Sequence, residues 1–150
     1  MKRTKLRIKG HSTTAELKQD IQDLVRAIVI LRDGGCILRG IRYCDIDTDK
    51  IVLQADHLIT RANSATYADT RLIVCACRRC HLWKKYNPKQ YDALVKAVLS
   101  PERVKLWEAC EKDSWKPKRT DAYDWKMEII ALKQELARYT NDAMYKSPTL

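Results

Sequence analysis

Two short apolar segments, each followed by residue types that bind metals, constrain the fold of this chain more than any other feature. The first covers residues 51–55 and leads into Asp56 and His57. The second covers residues 72–76 and leads into Cys77-Arg78-Arg79-Cys80-His81. Between them, residues 60–69 are small and polar without periodicity, which predicts a loop. The pattern therefore predicts two strands followed by a helix that begins near Arg78 and carries His81 in its first turn.

Helical patterns surround this unit on both sides. Thr13 and Glu16 match a capping box, which predicts a helix that ends near Arg32, before two glycines. Asn87-Pro88 and Ser100-Pro101 each predict a further helix, because proline is favoured at the first helical position. Asp121 is a predicted cap for a last helix. Its apolar residues recur at steps of four and three and form a short seam that either packs on the domain or pairs with a second copy to give a homodimer: Trp125, Ile129, Leu132, Leu136 and Tyr139.

The charge of the chain favours a polyanionic partner. There are 29 Lys and Arg against 19 Asp and Glu, which gives a formal net charge of +10. Such a surplus is typical of nucleic-acid-binding domains, although solubility alone explains it about as well. There is no run of ~18 apolar residues that could span a membrane, and the basic N-terminus lacks the apolar segment of a secretory signal. We therefore expect a cytoplasmic protein with no membrane partner.

The six cysteines indicate a metal site, because cytoplasmic thiols stay reduced. Cys77 and Cys80 have the spacing of a zinc knuckle, and tetrahedral zinc needs two further ligands, for which Cys36 and Cys44 are the obvious pair. We predict a structural Zn²⁺ held by these four thiolates. The alternative is that Cys36 and Cys44 are ordinary thiols and that no zinc binds. The two remaining cysteines are expected to be buried as small apolar residues: Cys75 and Cys110.

The Asp56-His57 pair points to hydrolytic chemistry. A carboxylate suits a hard divalent ion such as Mg²⁺, and imidazole suits transition metals. A histidine without metal can take a proton from water near neutral pH. Adjacent strand residues point to opposite sides, so both side chains can line one site only if the strand ends there. His81, at the start of the following helix, is predicted to return to the same place.

Residues 31–112 resemble the HNH, or ββα-metal, endonucleases, and within that group the phage recombination nucleases of the NinG/Rap type. The resemblance implies an α+β fold with a ββα-metal (His-Me finger) core, a structural zinc knuckle and several flanking helices. One position departs from the family, because Leu72 stands where its middle Asn is expected, and Asn63 or Asp69 would then have to brace the loop. The matching stretches are Arg32-Asp33-Gly34-Gly35-Cys36, Asp56-His57-Leu58-Ile59 and Cys77-Arg78-Arg79-Cys80-His81.

The resemblance also implies the roles of the site residues. Asp56 and His81 would coordinate a catalytic Mg²⁺ or Mn²⁺, and His57 would be the general base in hydrolysis of a DNA phosphodiester. Branched DNA, such as a recombination intermediate, is the implied substrate. The alternative is a non-catalytic, zinc-containing DNA-binding module in which Asp56 and His57 are structural. Five cations near the site are predicted phosphate contacts, or else a solvated helix face: Arg61, Arg78, Arg79, Lys84 and Lys85.

These features divide the chain into four predicted regions. Residues 1–11 are predicted to form a basic arm that lies along phosphates or, equally well, a solvated tail. Residues 12–112 are predicted to form the nuclease domain with its N-terminal helix and two covering helices. Residues 113–120 form a basic linker, and residues 121–141 form an amphipathic C-terminal helix.

Overall fold

The computed structural model describes residues 13–41, 44, 52–61, 66–113 and 122–145, and over these ranges the chain is α+β with five helices and one two-stranded sheet. The predicted basic arm, residues 114–120 of the linker, and the positions of Ile51, Asn63 and Asp121 lie outside the described residues. No described helix combines the length and apolar character that crossing a membrane requires. The elements in chain order are α1 Thr14–Asp33, β1 Leu53–His57, a short 3₁₀ turn Thr70–Leu72, β2 Ile73–Cys77, α2 Arg78–Tyr86, α3 Pro88–Val98, α4 Pro101–Asp113 and α5 Ala122–Tyr145.

The two strands form an antiparallel hairpin that ends at the predicted site. Asp56 is opposite Val74 and His57 is opposite Ile73 in the register. The strand therefore ends at His57 as expected, but Asp56 and His57 are its last two residues and do not follow it. Side chains of directly opposed residues lie on the same face of a sheet, and successive residues alternate between faces. Asp56 and His57 consequently lie on opposite faces of the hairpin.

Each face of the hairpin is covered by its own hydrophobic core. On the His57 face, α1 and α5 pack against Ile73 and Cys75. On the Asp56 face, Val74 packs with residues of α2, α3 and α4. The second core includes four cysteines and the fully buried side chains of three helical residues: Tyr91, Val95 and Trp107.

The helix α1 begins and ends as its sequence predicts. The Thr13 side chain accepts from the Glu16 amide, and the Glu16 carboxylate accepts from the Thr13 amide at 2.8 Å, so the capping box is present. Gly34 ends the helix with φ 68°, a left-handed conformation that glycine adopts without steric cost. Just before it, the Asp33 carboxylate accepts from the Cys75 amide at 2.8 Å and fixes the end of α1 against β2.

The seam of α5 packs on α1 within the same chain. Trp125 and Leu132 are buried, and the other three seam residues are partly buried in the core that α1 and β2 form. A homodimer through α5 would therefore use another face of the helix, where Met127 and Ile130 are about half exposed. The helix continues to Tyr145, beyond the predicted end at residue 141.

Candidate functional site

Asp56 is the centre of a hydrogen-bonded cluster on the face of the hairpin that α2, α3 and α4 cover. Its Oδ1 lies 3.1 Å from Nδ1 of His81, which suits a bond in which the imidazole donates to the carboxylate. The Lys84 ammonium lies 3.0 Å from each carboxylate oxygen. The Tyr91 hydroxyl donates to Oδ2 at 2.6 Å. A buried carboxylate is thus held by one imidazole, one ammonium and one phenol.

The helix α2 positions two of these partners because it begins directly after β2. Cys77 is its N-cap, and the thiol accepts from the Cys80 amide at 3.4 Å. His81 and Lys84 are three residues apart and so lie on one face of the helix, which here faces the end of β1. Tyr91 comes from α3, where it recurs with Leu94, Val95 and Val98 at the spacing of an apolar helix face, which predicts a core position. Its hydroxyl is the polar atom that the periodicity does not reveal.

The cluster is negative at its centre and open at one side. Burial raises the pKa of Asp56, but the hydrogen bond with His81 and the charge of Lys84 outweigh it, so the pKa lies below its usual range and the carboxyl group is ionised. Burial together with the Asp56 charge raises the pKa of Tyr91, which therefore remains a donor. The side chain of Asp56 is 3% exposed and that of His81 is 44% exposed. The His81 imidazole therefore lies between the buried carboxylate and solvent.

His57 lies across the strand from this cluster. Its Nε2 is 3.0 Å from the Tyr67 carbonyl oxygen, which can only accept, so Nε2 carries the proton and Nδ1 keeps its lone pair. Burial lowers the pKa of the imidazole, and the nearby Arg61 charge lowers it further against the opposing effect of the carbonyl. The ring also lines a cavity of about 270 Å³ between α1 and β1. A neutral imidazole with one free nitrogen is the form that accepts a proton.

The loop that holds His57 is braced by backbone groups. Leu72 is 1% exposed in the core on the Asp56 face, and its carbonyl accepts from the Leu58 amide at 2.9 Å. Asp69, one of the two predicted braces, instead caps the 3₁₀ turn and pairs with Arg71 at 2.7 Å. The group that orients the His57 ring is the Tyr67 carbonyl, and a backbone oxygen leaves no signal in the sequence.

Four cysteines form a second, compact cluster beside the first. The Sγ atoms of Cys36, Cys44, Cys77 and Cys80 all lie within 4.8 Å of one another, and all four residues are buried. Four thiols at this separation could hold a metal ion such as zinc, so the predicted grouping is confirmed. Cys75 is buried in the core that α1 and α5 form and lies outside this group, as expected. Cys110 also lies outside the group, but it is only partly buried.

Two thiols of this cluster, Cys36 and Cys44, have pKa values that move in opposite directions. A hydrogen bond with Cys80 is the main cause that lowers the pKa of Cys36 to about 5. Burial raises the pKa of Cys44 to about 12. The Sγ atoms of Cys44 and Cys80 are 3.6 Å apart. One thiolate stabilised by neighbouring thiols is a natural starting point for binding a cation, because a metal displaces the remaining protons.

Four of the five predicted phosphate contacts are on the surface, and one is not. Arg61 is exposed beside His57, and Arg78, Arg79 and Lys85 are exposed on α2. Lys84 points inward, with its side chain 25% exposed and its ammonium on Asp56. The alternative that Lys84 belongs to a solvated helix face is therefore not met, and its contact with a phosphate stays a prediction. The hydrogen bond with a buried carboxylate explains the difference, because it is stronger than one between neutral groups.

Comparison with known proteins does not assign a family or a function to the chain. No family model matches the chain, and no curated protein or solved structure matches it.

Proposed function

We propose that this protein is a metal-dependent endonuclease of the HNH type that hydrolyses DNA phosphodiester bonds. In this proposal Asp56 and His81 hold a catalytic Mg²⁺ or Mn²⁺, and His57 is the general base. The observation that carries the proposal is the 3.1 Å contact between the Asp56 carboxylate and the His81 imidazole, which come from a strand and a helix 25 residues apart in sequence. A buried, ionised carboxylate beside an imidazole at the surface is a suitable pair of ligands for a divalent ion.

The position of β1 supports access by a polymeric substrate. Within the described residues, β1 pairs with β2 along one edge only. A phosphate at the other edge, near the end of the strand, would have Asp56 on one side and His57 on the other. Residues on opposite faces of a strand can therefore serve one phosphodiester, provided that the substrate lies across the strand end.

The side chains have separate tasks in this proposal. A divalent ion held by Asp56 and His81 would supply Lewis-acid stabilisation of the charge that develops on the phosphate and the leaving oxygen. Nδ1 of His57 takes the proton from the attacking water, while the Tyr67 carbonyl keeps the ring in one orientation. In this proposal the exposed side chains of Arg61, Arg78 and Arg79 bind flanking phosphates.

We further propose that the four-cysteine cluster holds a structural Zn²⁺. Cys36 follows α1, Cys77 ends β2 and Cys80 belongs to α2. An ion shared by these residues would tie α1, β2 and α2 together directly beside His81. Branched DNA remains the proposed substrate on the strength of the family resemblance alone.

The second candidate function is a DNA-binding module without catalysis. It is favoured by one observation: Lys84 already neutralises the Asp56 carboxylate at 3.0 Å, so Asp56 has a structural role without any ion. Both candidates predict DNA binding that weakens with salt. Only the endonuclease predicts cleavage that needs a divalent ion.

Cleavage of plasmid DNA and of a synthetic four-way junction, with Mg²⁺, with Mn²⁺ and without divalent ion, distinguishes the two. We expect nicking only with the ions, and a loss of about 10²–10⁴-fold in rate for His57→Ala, the usual contribution of a general base. Gln90→Ala, at an exposed position of α3, is the control for the substitution itself. Salt-sensitive DNA binding without any cleavage would favour the module and refute the endonuclease.

A further inference from the structure

The Lys84 ammonium occupies the position on Asp56 that a cation would take. Nζ is 3.0 Å from Oδ1 and 3.0 Å from Oδ2, so it faces both carboxylate oxygens equally. It also donates to the His57 carbonyl oxygen at 2.7 Å. The ammonium therefore contacts both residues of the Asp56-His57 pair, and it lies 5.2 Å from the centre of the Tyr91 ring.

A divalent ion and this ammonium compete for one carboxylate. The two oxygens of Asp56 already receive bonds from His81 and Tyr91 in addition to Lys84, so little acceptor capacity remains on a group that is 3% exposed. Two cations on the same carboxylate would also repel each other strongly where the surroundings are apolar. Binding of a divalent ion to Asp56 thus requires Lys84 to move away.

We propose that Lys84 is an internal competitor of the divalent ion, and that it leaves Asp56 for a DNA phosphate when both ligands bind. This inference rests on the proposed function and specifies how the same site is regulated. Ion and DNA then bind cooperatively: the phosphate removes the competitor from Asp56, and the ion releases the ammonium to the phosphate. By linkage, each ligand must strengthen the binding of the other by the same factor.

The chemistry of a lysine suits this exchange. Its charge is a compact point on a flexible four-carbon stem, so it can rotate between two acceptors without movement of the helix. The side chain of Lys84 is 25% exposed, which gives its ammonium a path to solvent. Arg78, Arg79 and Lys85 are exposed on the same helix and would bring a phosphate within its reach.

Binding of Mn²⁺, followed by electron paramagnetic resonance of the free ion, tests the proposal without measuring activity. The experiment uses the full chain, with any zinc that it retains, and a duplex with phosphorothioate linkages, which are hydrolysed slowly. Lys84→Met removes the charge and keeps much of the apolar stem, and Lys84→Gln is a second variant with a neutral donor. Lys89→Met, at an exposed position of α3, is the control with the same change in net charge.

We expect Mn²⁺ to bind Lys84→Met without DNA more tightly than wild type by about 5- to 150-fold, the usual range for coupling between sites. We expect the duplex to tighten Mn²⁺ binding in wild type and Lys89→Met, and to do so much less in both Lys84 variants. Equal Mn²⁺ affinity of wild type and the Lys84 variants overturns the competition and leaves the proposed endonuclease intact. Absence of Mn²⁺ binding in every variant, with or without DNA, overturns both.

Discussion

Replacement of Tyr91 by Phe tests whether the Asp56 cluster is held together as described. The substitution removes one oxygen atom and keeps the ring, so the packing of a residue with 0% exposure changes little. What is lost is the 2.6 Å hydrogen bond that the hydroxyl donates to Oδ2 of Asp56. Asp56 keeps His81 and Lys84 as partners, so the buried carboxylate loses one hydrogen bond but is not left unpaired.

The magnitude follows from the charge on the acceptor. A hydrogen bond to a charged group contributes about 1.5–3 kcal/mol to the free energy of unfolding. For a chain of 150 residues, this corresponds to a decrease of roughly 3–12 °C in Tm. We expect Tyr91→Phe to lower stability by this amount, as measured by urea denaturation in the absence of added divalent ions.

A double-mutant cycle with Asp56→Ala separates this bond from other effects. In the Asp56→Ala background the hydroxyl has lost its acceptor, so Tyr91→Phe should cost nothing or stabilise the chain. No separate control for the loss of the hydroxyl is needed, because the cycle subtracts the effect of each single substitution on the free energy of unfolding. A coupling energy near zero between Tyr91 and Asp56 would show that the hydroxyl and the carboxylate do not interact in the folded protein.

Three further substitutions test other parts of the structure. Leu72→Asn introduces the residue type of the HNH family into a buried site. We expect the free energy of unfolding to fall by about 2–5 kcal/mol in denaturation experiments, because the amide would be buried in an apolar core. Unchanged stability would contradict that burial. We expect metal analysis of the wild-type chain to find one zinc, Cys80→Ser to abolish it and Cys110→Ser to retain it; equal zinc contents of the two variants would exclude the four-thiolate site. Thr13→Ala should lower stability by about 1 kcal/mol through loss of the helix cap, and no change in the urea midpoint would show that the cap is dispensable.

The sequence predicts best those features that depend on nearby residues. The capping box of α1 and the prolines that start α3 and α4 act within one turn, so the starts of these helices are correct. The grouping of the four cysteines is also correct, although Cys36 and Cys80 are far apart in the chain, because the number of thiolates that zinc needs limits the choice. Local geometry and ligand count are both readable without the fold.

What the sequence does not reveal depends on contacts between distant elements. The charge of Lys84 predicts an exposed phosphate contact, and only the packing of α2 against the end of β1 brings its ammonium to Asp56. Tyr91 is indistinguishable from an apolar residue in the periodicity of α3. The Tyr67 carbonyl, which orients His57, is a backbone group that every residue has, so the sequence does not reveal it. These three groups contact Asp56 or His57 directly, and all three come from other parts of the chain.

Two guanidinium groups bind the Ile73 carbonyl, and they reduce the number of basic side chains that can contact a nucleic acid. Arg32 and Arg103 donate to this one oxygen at 2.7 and 3.1 Å. Arg32 also donates to the Thr70 carbonyl at 2.6 Å, and Arg103 to the Arg71 carbonyl at 2.9 Å. These cations act as cross-links between helices and the backbone at the start of β2, so they are not available to neutralise phosphates of a nucleic acid. Titration of polynucleotide binding against ionic strength should therefore report fewer released counterions than the 29 basic residues of the formula imply.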